Sequence, residues 1–212
     1  MKRDRPFVTA NFAITADGRI STRNRAPAGF GSANDKRRLH EIRASCDAVL
    51  AGARTVATDN MTMSRPPGLV RVLLSASGRI DPALKLFAHG DSPILIFSTT
   101  RMPRATRAAL AEKATLHLDE GAVDLAKMMH TLRREHGVKR LVCEGGGQVF
   151  RALLAADLID ELHLTIVPRI FGGAKAPTLT GVAGDFLPQS TRLTLRDMRV
   201  IDGECFLRYR AG

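Results

Sequence analysis

Short apolar segments rich in β-branched residues alternate along this chain with segments of helical character. The strand candidates before the C-terminal part are residues Phe7–Thr15, Ala48–Gly52, 71–75, 94–98, 115–118, 140–143 and Glu161–Val167. A helix between two strands carries the chain back across the sheet, so that the strands run parallel. The last segments, 191–200 and 204–210, meet at Asp202 and Gly203 as in an antiparallel hairpin. The sequence therefore predicts an α/β fold, a three-layer sandwich with a mostly parallel central sheet and antiparallel C-terminal strands.

The connecting segments have the start signals and the periodicity of helices. Helices are predicted over about 32–45, 103–113, 123–135 and 149–156. Ser32 can cap the first of them, and Pro103 begins the second, where a missing N–H costs little. In the third, apolar residues recur at 125, 128, 129 and 132, which places them on one helix face. A chain of 212 residues can bury one core, and we predict a single domain over residues 1–212.

Composition and targeting signals favour an ordinary globular protein of the cytoplasm. Hydrophobic residues make up 44% and charged residues 25% of the chain. The longest apolar runs, such as 152–156, are far too short to span a bilayer, and no segment of signal-peptide type follows the charged opening residues. The three cysteines form no C-x-x-C pair, which fits a reducing compartment, and Cys143 is expected to be a buried thiol.

The formal net charge of +11 raises the possibility of a nucleic-acid partner. The Lys and Arg residues are scattered, however, with no run of four, and one Tyr and no Trp leave few platforms for stacking bases. This pattern argues against nucleic acid and favours small anionic ligands that carry phosphate groups.

The strongest local motif is an apolar strand that runs into Gly145, Gly146 and Gly147 and then into a helix. Glycines allow a ligand to approach the backbone closely, and a helix N-terminus offers N–H groups to phosphate. The motif is neither a Rossmann fingerprint, whose third glycine would fall at Phe150, nor a Walker A loop. A plain glycine-rich turn is the alternative. Glu144 stands at the carboxyl end of this strand, where a carboxylate needs a partner or a ligand.

Two further stretches carry groups that could bind ligands. Thr55 and Asp59 follow a predicted strand at i, i+4 spacing, so a hydroxyl and a carboxylate share one helix face and could bind a ribose. The alternative is an N-capping Thr55 with a solvated Asp59. The loop 168–178 combines glycines with Arg169 and Lys175 and could wrap a phosphate, or be a mobile surface loop.

Neither metal-dependent nor serine hydrolysis is supported by the sequence. His40 and Glu41 begin like a zinc-protease helix, but Ala44 stands where the second His is required. The remaining histidines lack ligand spacing, and there is no G-x-S-x-G elbow. We therefore expect no metal.

Taken together, the motifs resemble those of the riboflavin-biosynthesis pyrimidine reductase family, whose fold is like that of dihydrofolate reductase. The resemblance runs over nearly the whole chain. It rests on six blocks in family order, which are Asp17-Gly18-Arg19-Ile20, Leu39 to Ala44 with Asp47 to Leu50, Gly52 to Val56 with Asp59-Asn60, Glu144 to Gly147, Asp160-Glu161-Leu162, and Phe171-Gly172-Gly173 with Ala176-Pro177-Thr178.

The resemblance implies a homodimer that uses NADPH to reduce the ribosyl group of a pyrimidine nucleotide to a ribityl chain. Cofactor-binding positions of the family fall on Thr55, Asp59, Gly145, Gly146, Gly147, Gln148, Val149 and Phe150. Substrate-binding positions fall on Asn11, Arg43, Arg65 and Glu144, of which Glu144 is the expected catalytic residue. For NADPH rather than NADH, an Arg near a strand end (Arg54, Arg79 or Arg101) could pair with the 2′-phosphate.

In having Asn11, the chain resembles the stand-alone type of the family, which carries Asn at this position. Bacterial two-domain members usually carry Lys there. That type acts on the diamino-pyrimidinone before deamination. The chain has no deaminase zinc signature, so the deaminase is expected on a separate chain. Departures such as Asn60-Met61 lie near ligand positions, and two alternatives therefore stay open: a reductase of this fold for another heterocycle, pterin-like, and a non-catalytic basic protein that binds nucleotide or nucleic acid.

Overall fold

The computed structural model describes residues 4–24, 30–89, 92–181, 187 and 189–212. Its elements in chain order are β1 (Phe7–Thr15), α1 (Ala33–Ala44), β2 (Ala48–Gly52), α2 (Ala53–Asp59), β3 (Val70–Ser75), α3 (Lys85–Ala88), β4 (Ile94–Thr99), α4 (Arg104–Ala111), β5 (Thr115–Asp119), α5 (Leu125–Arg134), β6 (Arg140–Gly145), α6 (Gly147–Ala155), β7 (Glu161–Val167), β8 (Leu193–Ile201) and β9 (Glu204–Ala211). The chain divides into two compact units. Unit 1 comprises Met1–Pro6 and Arg43–Leu141, and unit 2 comprises Phe7–Ile42 and Val142–Gly212.

Unit 1 is built on four parallel strands in the order β5-β4-β3-β2. Every residue of β2 and of β4 is buried, as expected for strands covered on both faces. Helix α5 begins two residues later than predicted because Asp124 is its cap: the carboxylate accepts a hydrogen bond from the Lys127 amide at 2.9 Å. The one-turn helix α3 was not predicted, since four residues carry too little periodic signal.

Arg71 is the second residue of β3 and is buried, with 3% of its surface exposed. Its guanidinium donates to the main-chain carbonyl oxygens of Leu86 at 2.7 Å and Ser92 at 2.5 Å, and also to that of His89. A buried cation needs such acceptors because it has left water. Arg71 therefore ties α3 and the approach to β4 to the sheet of unit 1.

Unit 2 contains β6 from Val142 onward, followed side by side by β1, β7, β9 and β8 in that order. β7 runs parallel to β1, with Thr9 opposite Glu161, and antiparallel to β9. β8 and β9 form the antiparallel hairpin predicted around Gly203. β8 is the edge strand on this side of the sheet. The α/β class, the mostly parallel strands and the antiparallel C-terminal strands are thus confirmed. Across the part of the chain described here, no helix has the length and apolar character needed to span a bilayer.

Two histidines of unit 1 share a polar contact beside an aromatic ring. His117 on β5 stacks on Phe97 with ring centroids 4.5 Å apart, and its Nε2 lies 3.2 Å from Nε2 of His136. Burial lowers the pKa of His117, and the neighbouring His136 lowers it further. The folded state therefore favours the neutral ring.

This contact makes stability dependent on pH. The unfolded chain binds a proton at the ordinary histidine pKa of about 6.5, whereas folded His117 binds it only at lower pH. The contribution of neutral His117 to the free energy of unfolding is therefore fully present above about pH 6.5. It falls as the pH drops towards the lowered pKa of the folded state. We expect the free energy of unfolding, measured with urea between neutral and mildly acidic pH, to fall less steeply in His117→Phe than in the wild type. The exposed His40→Gln variant is the control and should keep the wild-type slope; an unchanged slope in His117→Phe would contradict the assignment.

Candidate functional site

The glycine turn of unit 2 joins the end of β6 to the start of α6. Gly146 has φ 67° and ψ 140°, a conformation that other residues rarely adopt, and it is the N-cap of α6. The helix begins at Gly147, two residues earlier than predicted, because the turn is completed by Gly146 alone. Gly147, Gln148 and Val149 therefore form the first turn, whose N–H groups have no acceptor within the helix.

Gly147 is also required by packing. A Cβ at this position would lie 2.6 Å from the main-chain nitrogen of Gly181 and 2.9 Å from the carbonyl oxygen of Thr178. Thr178 and Gly181 are themselves bridged by main-chain hydrogen bonds. Backbone thus approaches the start of α6 closely, which gives Gly147 a structural role beside the predicted role in binding the cofactor.

Glu144 stands half-buried near the end of β6, after three fully buried residues. Burial raises the pKa of the neighbouring Cys143 thiol to about 12, so this cysteine stays protonated and is no nucleophile. Cys143 is thus the buried thiol that the sequence predicted.

Asn11 on β1 has a buried polar atom that lacks a partner among the described residues. Its Oδ1 is buried and accepts no hydrogen bond there. His163, which lies opposite on β7, does not supply one, because its Nε2 lies 2.6 Å from Glu161 and its Nδ1 lies 3.3 Å from Arg38. An unsatisfied buried acceptor costs about 1–3 kcal/mol. Oδ1 of Asn11 is therefore suited to accept from a ligand.

The cofactor candidates of unit 1 lie together on α2. Thr55 and Asp59 are one turn apart, and the helix is capped by Gly52, so the predicted alternative of Thr55 as N-cap is wrong. The Asp59 side chain is exposed at the end of the helix, yet nearby protein atoms partly desolvate its carboxyl group and raise its pKa. The hydroxyl and the carboxyl remain available on one helix face.

The two substrate candidates of unit 1 are brought together through the main chain. Arg43 is buried, with 8% of its surface exposed, and its Nη1 donates to the carbonyl oxygen of Arg65 at 3.4 Å. The Arg65 side chain is exposed. Arg43 thus holds the main chain at Arg65, whose side chain projects from that point.

The loop 168–178 of unit 2 holds a carboxylate of the protein itself. The amides of Phe171 and Gly172 donate to Asp17 at 3.2 and 2.8 Å, and Arg19 donates to the carbonyl oxygen of Ala176 at 2.9 Å. The Thr15 hydroxyl and these amides lower the pKa of Asp17. The idea of a phosphate-wrapping loop is thus not supported at these amides. Sequence reasoning missed this role of Asp17, although the Asp17-Gly18 turn was visible.

Within the described part of the chain, no three His, Cys, Asp or Glu side chains lie together in a group that could hold a metal ion.

Replacement of Gly147 tests the packing at the start of α6. Inside a helix Ala is favoured over Gly by about 0.5–1 kcal/mol, but here the new methyl group would meet backbone atoms that cannot rotate away. We expect Gly147→Ala to lower the free energy of unfolding by about 1–3 kcal/mol in urea titration. Gln148→Ala, at the next and exposed position, is the control and should be nearly neutral. A Gly147→Ala variant as stable as the wild type would refute the close approach.

Comparisons with known proteins identify relatives over nearly the full length of the chain. The family described as RibD C-terminal domain matches residues 6–207. The 2,5-diamino-6-ribosylamino-4(3H)-pyrimidinone 5′-phosphate reductase of Methanothermobacter thermautotrophicus is 31% identical over 97% of this chain and 98% of its own length. RibD of Acinetobacter baumannii has a similar fold, with a TM-score of 0.81 at 19% identity, over 99% of this chain and 59% of that longer chain.

A dihydrofolate reductase from Enterococcus faecalis also shares the fold, with a TM-score of 0.51 at 16% identity over 97% of this chain and 96% of its own. The predicted likeness to dihydrofolate reductase is thus confirmed for the fold. The family match spans nearly all of the chain and agrees with the six sequence blocks. The chain belongs to the RibD C-terminal domain family.

Proposed function

We propose that this protein is the NADPH-dependent reductase that converts the ribosyl group of a ribosylamino-pyrimidine 5′-phosphate to a ribityl group in riboflavin biosynthesis. The observation that carries the proposal is the similarity, over nearly the whole of both chains, to the pyrimidinone phosphate reductase of M. thermautotrophicus. The family match over residues 6–207 supports it. The same proposal includes a homodimer in the cytoplasm and a deaminase on a separate chain.

Asn11 supports the aminated form of the substrate. The diamino-pyrimidinone carries an amino group where its deaminated product carries a carbonyl oxygen. The buried Oδ1 of Asn11 needs a hydrogen-bond donor, which an amino group supplies and a carbonyl oxygen does not. An acceptor placed against another acceptor would instead be repelled, so we assign Asn11 to recognition of the aminated pyrimidine.

The chain offers donors suited to the phosphates and hydroxyl groups of NADPH. The first-turn amides of α6, from Gly147 to Val149, and the positive end of the helix favour an anion. Thr55 and Asp59 present a hydroxyl and a carboxyl that suit a ribose. Among the arginines considered for the 2′-phosphate, Arg101 already donates to the carbonyl oxygen of Ala76 and lies against the Thr99 hydroxyl.

Arg43 or Arg65, or both, would hold the phosphate of the substrate. Arg65 has an exposed guanidinium, which can pair with phosphate oxygens through two N–H groups. The hydrogen bond from Arg43 to the Arg65 carbonyl orients the chain at this point. Arg43 would therefore contribute directly or by positioning Arg65.

Glu144 is proposed as the catalytic residue. Reduction requires the C1′–O4′ bond of the closed ribosylamine to break, with a proton going to O4′ and an iminium forming at C1′. The nicotinamide, when bound, supplies the hydride that this carbon accepts. A carboxylate near the iminium stabilises its positive charge and can move the proton to the sugar oxygen. Glu144 brings such a group to the strand end beside the glycine turn.

An assay with both pyrimidines tests the proposed function. Loss of NADPH absorbance is followed with the aminated and the deaminated ribosylamino-pyrimidine phosphates side by side, and with NADH in place of NADPH. We expect a higher kcat/KM for the aminated substrate and for NADPH. Turnover of dihydrofolate with neither pyrimidine reduced would instead support the alternative reductase of another heterocycle.

The variant Glu144→Gln keeps the shape of the side chain and removes its charge. We expect kcat to fall about 100-fold or more while the Kd for NADPH, measured by titration, stays nearly unchanged. Glu120→Gln, at an exposed carboxylate of unit 1, is the matched control and should behave as wild type. A normal kcat with only a raised KM would show that Glu144 binds the substrate and does not act in catalysis.

A further inference from the structure

The turn after β1 holds a distant segment of unit 2, which comprises residues 171–181. Asp17 accepts hydrogen bonds from the amides of Phe171 at 3.2 Å and Gly172 at 2.8 Å. The Thr15 hydroxyl donates to the same carboxylate at 2.5 Å, which orients it. A charged acceptor makes these hydrogen bonds stronger than a neutral one would. One carboxylate therefore fixes the start of the 171–181 segment to the turn.

Arg19, two residues after Asp17, holds the middle of the same segment. Its guanidinium donates to the Ala176 carbonyl at 2.9 Å, and its main chain forms an antiparallel bridge with Thr178. Nε of Arg19 lies 3.8 Å from the Asp17 carboxylate, which attracts it. Asp17 thus acts on the segment directly at its start and through Arg19 at its middle.

The end of the segment packs against the glycine turn of the candidate site. A Cβ at Gly147 would lie 2.6 Å from the Gly181 nitrogen and 2.9 Å from the Thr178 carbonyl oxygen. Main chain therefore touches main chain at the first residue of α6. The bridge between Thr178 and Gly181 keeps these atoms together, and packed backbone cannot yield as a long side chain does. A displacement of the segment is therefore passed on to the start of α6.

The start of α6 needs such support because glycines form it. Gly146 and Gly147 have no side chains that could anchor the turn, and glycine leaves the backbone free to adopt many conformations. Amides bind an anion well when several of them point at it, and a hydrogen bond weakens steeply as its donor turns away. The contact from the 171–181 segment restricts the turn from outside, and with it the direction of the first-turn amides.

We propose that Asp17 is a positioning residue of the cofactor site, which raises the affinity for NADPH through the 171–181 segment. The inference rests on the proposed function, in which the first turn of α6 binds the phosphates of NADPH. The carboxylate stays charged across the neutral range, because hydrogen bonds from the Thr15 hydroxyl and from the amides of Gly172 and Phe171 lower the pKa of Asp17.

The sign of the effect separates positioning from charge. NADPH carries several negative charges, so the Asp17 carboxylate by itself repels the cofactor. If Asp17 acted only through its charge, its removal would tighten binding. Positioning predicts weaker binding without the carboxylate, although the protein has then gained positive charge.

The variant Asp17→Asn keeps the shape of the side chain and removes its charge. We expect the Kd for NADPH, measured by fluorescence titration, to rise about 10-fold, while kcat at saturating NADPH stays within about twofold of the wild type. Asp157→Asn removes an exposed carboxylate just after the other end of α6 and is the matched control, with an unchanged Kd. An unchanged or lower Kd in Asp17→Asn would overturn the proposal.

Hydrogen exchange in the protein without cofactor, followed by NMR, tests the path itself. In Asp17→Asn the amides of Phe171 and Gly172 lose their charged acceptor and should exchange about 10-fold faster or more. The Phe150 amide, which donates to the Gly146 carbonyl in α6, should also exchange faster because the helix start loosens. The amides of β2 in unit 1 are the control and should be unaffected. Unchanged exchange at Phe150, or equal acceleration in β2, would overturn the proposal.

A second variant, Arg19→Lys, tests the same path if Asp17→Asn does not fold. It keeps the positive charge and removes the planar group that donates to Ala176, so the Kd for NADPH should rise about fivefold at unchanged kcat. An unchanged Kd would count against the path. A wild type that binds no NADPH would refute the proposed function and this role together, whereas a wild type that binds NADPH beside unaffected variants would refute this role alone.

Discussion

The parallel pairing of β1 with β7 is the contact on which the candidate groups of unit 2 depend. It is secured at its start by the buried Asp160, whose Oδ2 accepts from the Val8 amide at 2.7 Å while its own amide donates to the Val8 carbonyl. At its other end the Ala16 amide donates to the Arg169 carbonyl at 2.8 Å. A shift by one residue would turn every side chain of β1 to the other face. Asn11 would then leave His163, and Phe12 would leave Phe150.

The strands were predictable because their signal is local and strong. β1, β2 and β7 have the predicted bounds, since each is a short, largely apolar run of the length typical of a strand. Two features of the fold were not predictable in this way. The start of α6 depends on Gly146 alone adopting the turn, and the acceptors of the Arg71 guanidinium come from 15 to 21 residues further along the chain. Periodicity contains no information about either.

The chemical types of the candidate groups and their positions within motifs could be predicted, whereas their contacts could not. The resemblance pointed to Asn11, Arg43 and Arg65. That the Asn11 Oδ1 is buried without a donor among the described residues, and that the Arg43 guanidinium donates to the Arg65 carbonyl, depends on how the chain folds. For Asp17, the sequence analysis missed a contact within the protein and assigned its partner loop to a ligand instead. Its partners, the amides of Phe171 and Gly172, lie more than 150 residues away in sequence, so the loop that contains them could be taken for a phosphate site.

The position of Arg71 has a consequence for local opening in unit 1. Leu86, His89 and Ser92 supply carbonyl acceptors to the guanidinium of a buried arginine. If these three residues detached by themselves, a cation would be left buried with those acceptors gone, which is costly. Opening of the connection between β3 and β4 is therefore coupled to the loss of β3 itself. A surface connection that would ordinarily fray becomes part of the cooperative folding unit of the strands it joins.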